Sequence, residues 1–227
     1  SSDHGATWSV PVPIYGQVSW GDKPTMAVSN DGQDVYISFN GPTGPCAGVV
    51  DGDTVDQISA SVLDVVRGAV VERTGVSVPL PDLELLAPLR PGKLIGIGLN
   101  YRDHAAETGK PVPERPLLFA KMPTAVTGPA GPVVLPSYTS KPDFEGELAV
   151  VIGSVARNVD VADALGCVFG YAVMDDVSAR DVQLSEPQWV RAKGADTFAP
   201  WGPWITTADE VPDPQSLTVR TWLSGEL

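Results

Sequence analysis

Hydrophobic positions along this chain recur mostly with a period of two, in short runs bounded by Gly, Pro, Asp and Asn. Thr25-Met26-Ala27-Val28 and Val35-Tyr36-Ile37-Ser38 alternate as antiparallel strands do. Gly48-Val49-Val50-Asp51-Gly52-Asp53-Thr54-Val55 has the Asp-Gly centre of a hairpin. The segment from Ser61 to Arg73 predicts a helix, and a Pro-rich stretch from Leu80 to Pro91 leads into Lys93-Leu94-Ile95-Gly96-Ile97-Gly98, an apolar run suited to a buried strand. Further strands are predicted over Phe144 to Ile152, Gly170 to Met174 and Leu217 to Leu223, with short helical pieces between them. The expected fold is therefore mainly β with some α, a mixed β-roll or barrel preceded by a short antiparallel fragment. Gly41-Pro42-Thr43-Gly44-Pro45 breaks both kinds of regular structure and reads as a linker. It separates a fragment over 1–44 from a small lobe over 45–91 and a larger domain over 92–227.

Composition narrows the functions available. A chain of 227 residues, 43% hydrophobic, can bury a core. Its formal charge of -13, with lysines and arginines scattered singly, repels phosphate backbones and anionic lipid, so neither nucleic acid nor a membrane surface is an expected partner. No apolar run approaches the roughly 20 residues that span a bilayer. An acidic protein that handles a small anion needs local positive charge or a metal. The two cysteines, Cys46 and Cys167, lie far apart and read as free thiols.

Asp143-Phe144-Glu145-Gly146-Glu147-Leu148 places two carboxylates two residues apart at the front of a strand, on one face. Held that close they repel, and a hard divalent cation relieves the repulsion; a solvated strand face is the plain alternative. A second acidic cluster, Met174-Asp175-Asp176, follows the apolar run Gly170-Tyr171-Ala172-Val173 and offers a third oxygen ligand. Three carboxylates with remaining positions left to water and substrate suit Mg²⁺ better than zinc, for which two histidines and no paired cysteines make a poor set. Upstream, His104 and Glu107 stand three apart on a short predicted helix that Gly109 terminates, an arrangement suited to a general base and equally to a surface contact. Lys193, in a polar Gly-containing run, is placed to meet an enolate or carboxylate, and Lys121 has apolar neighbours that favour inward placement.

Gly98-Leu99-Asn100-Tyr101 with His104-Ala105-Ala106-Glu107, then Asp143 to Leu148, Gly170-Tyr171 with Asp176 and Ala179-Arg180-Asp181, and Lys193-Gly194-Ala195-Asp196-Thr197-Phe198, together resemble the fumarylacetoacetate hydrolase family over roughly residues 46–227. The resemblance implies that Glu145, Glu147 and Asp176 ligate Mg²⁺ or Mn²⁺, that His104 and Glu107 form a water-activating dyad, and that Lys193 stabilises a developing oxyanion. It further implies that Gln183 and Lys121 contact substrate. The substrates it implies are small anionic oxo-acids. Such enzymes cleave acylpyruvate-type diketo acids, decarboxylate oxaloacetate-like acids or isomerise hydroxydienedioates, and a metal chelating the oxo-acid oxygens makes an enolate an acceptable leaving group. A cytoplasmic homodimer is the form that the resemblance implies.

Two departures accompany it. The family's sequences continue past a Gly-Thr-Pro turn that does not occur here, so the catalytic domain is expected to be incomplete at its C-terminus and its activity reduced or lost. The opening Ser1-Ser2-Asp3-His4-Gly5-Ala6-Thr7-Trp8 resembles the Asp-box of sialidase-like propellers, a structural turn with an extracellular ancestry. Two readings of function follow: a metal-dependent enzyme acting on C–C bonds, or a non-catalytic, chimeric β-rich chain. Stabilisation by Mg²⁺ separates them.

Overall fold

A computed structural model describes residues 27–28, 35–41 and 44–226, so the Asp-box resemblance at residues 1–8 lies outside the described residues. In chain order the elements are β1 (Ala27–Val28), β2 (Val35–Gly41), β3 (Gly44–Asp51), β4 (Thr54–Ile58), α1 (Val62–Val66) and β5 (Arg73–Pro79). Next come β6 (Leu94–Gly98), α2 (Arg102–Glu107), β7 (Leu117–Lys121), β8 (Val126–Thr127), β9 (Pro142–Asp143) and β10 (Gly146–Ile152). They are followed by β11 (Val168–Asp175), β12 (Ser178–Ala179), α3 (Arg180–Ser185), α4 (Val190–Lys193), β13 (Ala199–Pro200) and β14 (Thr206–Thr207). The protein is mostly β with a few short helices, and its small sheets do not close into a barrel.

β1 to β5 form one antiparallel sheet in chain order. β2 pairs with β3 from Val35↔Val50 to Gly41↔Gly44, so the stretch read from sequence as a linker is where one strand turns into the next. The boundary drawn at residue 44 falls within this hairpin. The Asp-Gly hairpin is present, with Asp51 opposite Thr54. The helix expected over residues 61–73 is only α1, started by a reciprocal Ser61–Asp64 capping box and capped at Arg67. The rest is a turn and an irregular stretch that leads into β5, whose Arg73 lies opposite Ile58.

Alternation along these strands buries both faces of the sheet. Ala47, Val49 and Ile58 join the main core with Val126, Ala172, Phe198 and Ile205. Ile37, Phe39 and Val55 make a second cluster, with Leu80, Leu83 and Leu85 packed against it. Gly48 permits the second cluster to close, since a Cβ there would lie 2.3 Å from Val55 Cγ1.

In the second half, β6 pairs with β7, β9 with β12, and β10, β11 and β14 form a three-stranded sheet. β8 and β13 pair in parallel. The strand expected over Leu217 to Leu223 does not form: Pro214–Ser216 is a 3₁₀ turn, and Leu223 bridges only to Glu226. Alternation alone does not make a strand when no neighbouring strand supplies a ladder. Among the described residues no helix is long and apolar enough to cross a membrane.

Candidate metal centre

The antiparallel register of β10 and β11 sets Gly146 opposite Asp175 and Glu147 opposite Met174. Two further bonds tie the strand ends together: Asp176 N–H donates to Glu145 O at 2.8 Å, and Glu145 N–H donates to Asp175 Oδ1 at 2.8 Å. Glu145 and Glu147, two residues apart, therefore share a side with Asp176. One carboxylate oxygen from each of the three lies within 4.8 Å of the others. Residues 31 positions apart in sequence are brought together by pairing that the backbone makes regardless of their charge.

Cations surround this cluster. Lys193, the last residue of α4, is 2% exposed and donates to Glu145 Oε2 at 2.8 Å and Asp176 Oδ2 at 2.7 Å. Its ammonium also sits 5.1 Å from the centre of the Phe119 ring, which packs edge-on against Trp189 and so seats α4 on β7. Lys121, at the end of β7 and 3% exposed, donates to Asp176 Oδ1 at 2.5 Å and Val177 O at 3.2 Å. Its inward placement agrees with its apolar neighbours, but both contacts are to the protein, which makes it a support for Asp176. Arg180, opening α3, bridges Asp143 Oδ2 at 2.7 Å and Glu145 Oε1 at 2.5 Å, and donates to Gln183 Oε1 at 2.8 Å.

Burial pushes the Glu147 carboxyl up to about 7, with the charges of Asp176 and Glu145 adding to the effect; Lys193 through space and the Tyr101 hydroxyl by hydrogen bonding oppose it. Burial likewise raises Asp175 to about 6, against the hydrogen bond it accepts from Glu145 N–H. Burial lowers Lys121, with Asp176 acting in the other direction. Three carboxylates, Asp176 buried and the two glutamates partly so, with Glu147 driven toward its neutral form by burial first and by its two neighbours second, make an oxygen-only donor set that a hard divalent cation suits.

His104 and Glu107 both lie on α2, which ends before Gly109 at a φ of +64°. His104 is half-buried, whereas Glu107 is exposed, and among the described residues their side chains make no hydrogen bond with each other. Water competes for the Glu107 carboxylate there. Gln183 lies one helical turn from Arg180, which orients its amide.

Tyr101, Asp143, Asp175 and Arg180 were not assigned roles from sequence. Arg180 carried a signal, since it precedes Gln183 by three residues on one helix face. Tyr101 and Asp175 act through backbone groups of distant residues, and Asp143 through the Arg180 side chain 37 positions on, for which a single sequence has no signature.

Comparison with known proteins agrees with this geometry. Residues 93–227 match the family model described as fumarylacetoacetate hydrolase C-terminal, and residues 36–88 match one described as Rv2993c-like, N-terminal. The second match crosses the Gly41–Pro45 turn, in keeping with the continuous sheet. The chain is 48% identical to protein Rv2993c of Mycobacterium tuberculosis over 154 residues, 68% of this chain and 58% of that protein. It spans about half to two thirds of the length of the curated relatives it matches.

Two solved structures are informative. The 2-hydroxyhepta-2,4-diene-1,7-dioate isomerase of Mycobacterium marinum superposes with a TM-score of 0.63 at 38% identity, covering 76% of this chain and 65% of that one. The maleylpyruvate hydrolase of Sphingobium sp. SYK-6, in complex with manganese (II) ion and pyruvate, superposes with a TM-score of 0.60 at 32% identity, covering 79% and 69%.

Proposed function

Because the chain belongs to the fumarylacetoacetate hydrolase family, we propose that it is built to bind Mg²⁺ or Mn²⁺ through Glu145, Glu147 and Asp176 and to hydrolyse C–C bonds of small acylpyruvate-type oxo-acids. The observation that carries this reading is the convergence of these three carboxylates within 4.8 Å. A structural neighbour that is a maleylpyruvate hydrolase holding manganese and pyruvate supports both the ion and the oxo-acid.

When bound, the divalent cation supplies charge stabilisation for the oxygens of the oxo-acid. The chain's own residues provide the rest. His104, with Glu107 three residues further along the same helix to orient it, takes a proton from the attacking water. Lys193 spends two of its three donors on Glu145 and Asp176, leaving one N–H to meet a developing oxyanion. Arg180 holds the Gln183 side-chain carbonyl, so that its amide N–H₂ is directed to the substrate. Lys121 fixes Asp176 and takes no direct part. The isomerase reading is favoured by the hydroxyheptadienedioate isomerase among the neighbours. It needs proton movement without attack by water.

A thermal melt with EDTA, Mg²⁺ or Mn²⁺ tests the ion site. A rise in melting temperature that disappears on changing Glu145 and Glu147 to Gln is expected; no rise in the wild-type chain overturns the reading. Incubation of the Mn²⁺-loaded chain with an acylpyruvate and, separately, with a 2-hydroxydienedioate then separates the two reactions. Release of pyruvate from the first identifies the hydrolase, whereas a shifted double bond in the second with no pyruvate from the first identifies the isomerase.

A further inference from the structure

Tyr101 occupies a position that neither the cluster nor the dyad accounts for. It is the residue at the N-terminal boundary of α2, where its extended backbone (φ -99°, ψ 130°) leads into the helix that carries His104 and Glu107. Its carbonyl accepts from Ala105 N–H at 3.1 Å, the first bond of that helix. Its side chain runs the other way, to β10: the hydroxyl oxygen accepts from Leu148 N–H at 3.1 Å. Leu148 directly follows Glu147, and β10 is an edge strand of its sheet. A phenol has one proton to donate. With its oxygen engaged by the Leu148 amide, the hydroxyl sits beside the Glu147 carboxylate, the residue that precedes Leu148 on the strand.

We propose that Tyr101 is a positioning residue whose hydroxyl ties α2 to β10, setting the helix that bears His104 and Glu107 at a fixed place relative to the carboxylate of Glu147. The helix needs such a tie. It is six residues long, too short to hold itself in water, has no side-chain cap at its N-terminus, and buries only Ala105. The tie is also economical, since one hydroxyl satisfies a strand-edge amide and orients a carboxylate at the same time. The inference rests on the reading of Glu147 as a metal ligand only for its consequence in catalysis. The tie itself is a property of the chain without any ion.

The test is Tyr101→Phe in the full chain, which keeps the ring and deletes the oxygen. Hydrogen exchange of the peptide amides of α2, measured in EDTA, is expected to quicken about tenfold while the exchange of β2 to β4 stays unchanged. With saturating Mn²⁺ and acetylpyruvate, kcat is expected to fall about tenfold at constant KM. Unchanged α2 exchange in a cooperatively folded Y101F chain overturns the proposal. Should Y101F not fold, exchange of the Leu148 amide in the wild-type chain decides, since an amide on this edge strand that exchanges as fast as a solvent-exposed one overturns the tie. Failure of the wild-type chain to bind Mn²⁺ removes the metal reading alone and leaves the exchange measurement to judge the tie.

Discussion

The sheet of β2 to β5 and the strand pair β10–β11 are built from similar lengths of antiparallel strand, yet they are held together by opposite means. In the first, strand alternation puts Ile37, Phe39 and Val55 on one face and Ala47, Val49 and Ile58 on the other, and both faces are dry and apolar. In the second, the pairing delivers Glu145, Glu147 and Asp176 to one place and two buried lysines follow them in. Apolar burial is non-directional and tolerates small adjustments. Buried charges pay a desolvation cost that only matched partners offset, so removing one partner leaves an uncompensated charge. One region stores stability; the other stores a geometry that has a use.

That contrast can be broken most sharply at Lys193. Replacing it with Met strips a counterion shared by two carboxylates and is expected to destabilise the chain by about 3–5 kcal/mol in EDTA. Denaturant unfolding should show the deficit shrinking when Mn²⁺ is added, because an ion replaces the missing charge. Phe39→Ala, in the apolar cluster, is expected to cost a comparable ~3–5 kcal/mol through the cavity it leaves. Mn²⁺ should not repair any of it; a loss that Mn²⁺ did reduce would mean that the two regions are energetically one.

The smallest effect is expected at Asp181, whose carboxylate accepts from Ser140 N–H and Thr139 Oγ1. The backbone bond from Ser140 first, then the Thr139 hydroxyl, hold its pKa down from 3.8 to about 2. A lowered carboxyl contributes stability above its unfolded pKa and loses it as pH falls through the folded value. The stability difference between wild type and Asp181→Asn should therefore be constant above about pH 4 and disappear between about pH 4 and pH 2. Melting temperatures across that range check it.

The strands β6, β10 and β11 were readable in the sequence, because a short hydrophobic run between turn residues has few alternatives, but β6 is not the buried strand expected: Ile95 and Ile97 are exposed. The convergence of Glu145, Glu147 and Asp176 was readable too, since i and i+2 on a strand fix two of them and an adjacent strand end supplies the third. What escaped was set by distant partners. The segment after Arg67 looks helical until Arg73 pairs with Ile58, and Leu217 to Leu223 alternates like a strand but has no ladder to join. Gly41, Gly44 and Pro45 have the composition of a linker and yet lie in paired strands, a distinction that depends on Val35 meeting Val50. Lys121 was placed indoors by its apolar neighbours and is 3% exposed, yet its partner Asp176, 55 residues away, could not be read from them.

The two lysines on Asp176 have one further consequence. Oδ1 is taken by Lys121 and Oδ2 by Lys193, while Lys193 also holds Glu145. In the function proposed above, a divalent ion arriving at these oxygens would meet two resident monovalent cations that are covalently leashed to the chain and never diluted. Its occupancy would then be an exchange between a free competitor and tethered ones, and its half-saturation would report the divalent-ion concentration relative to a reference carried within the molecule. The same leash spares the ion-free chain the repulsion that would otherwise push β10 and β11 apart, leaving the docking place assembled before its occupant arrives.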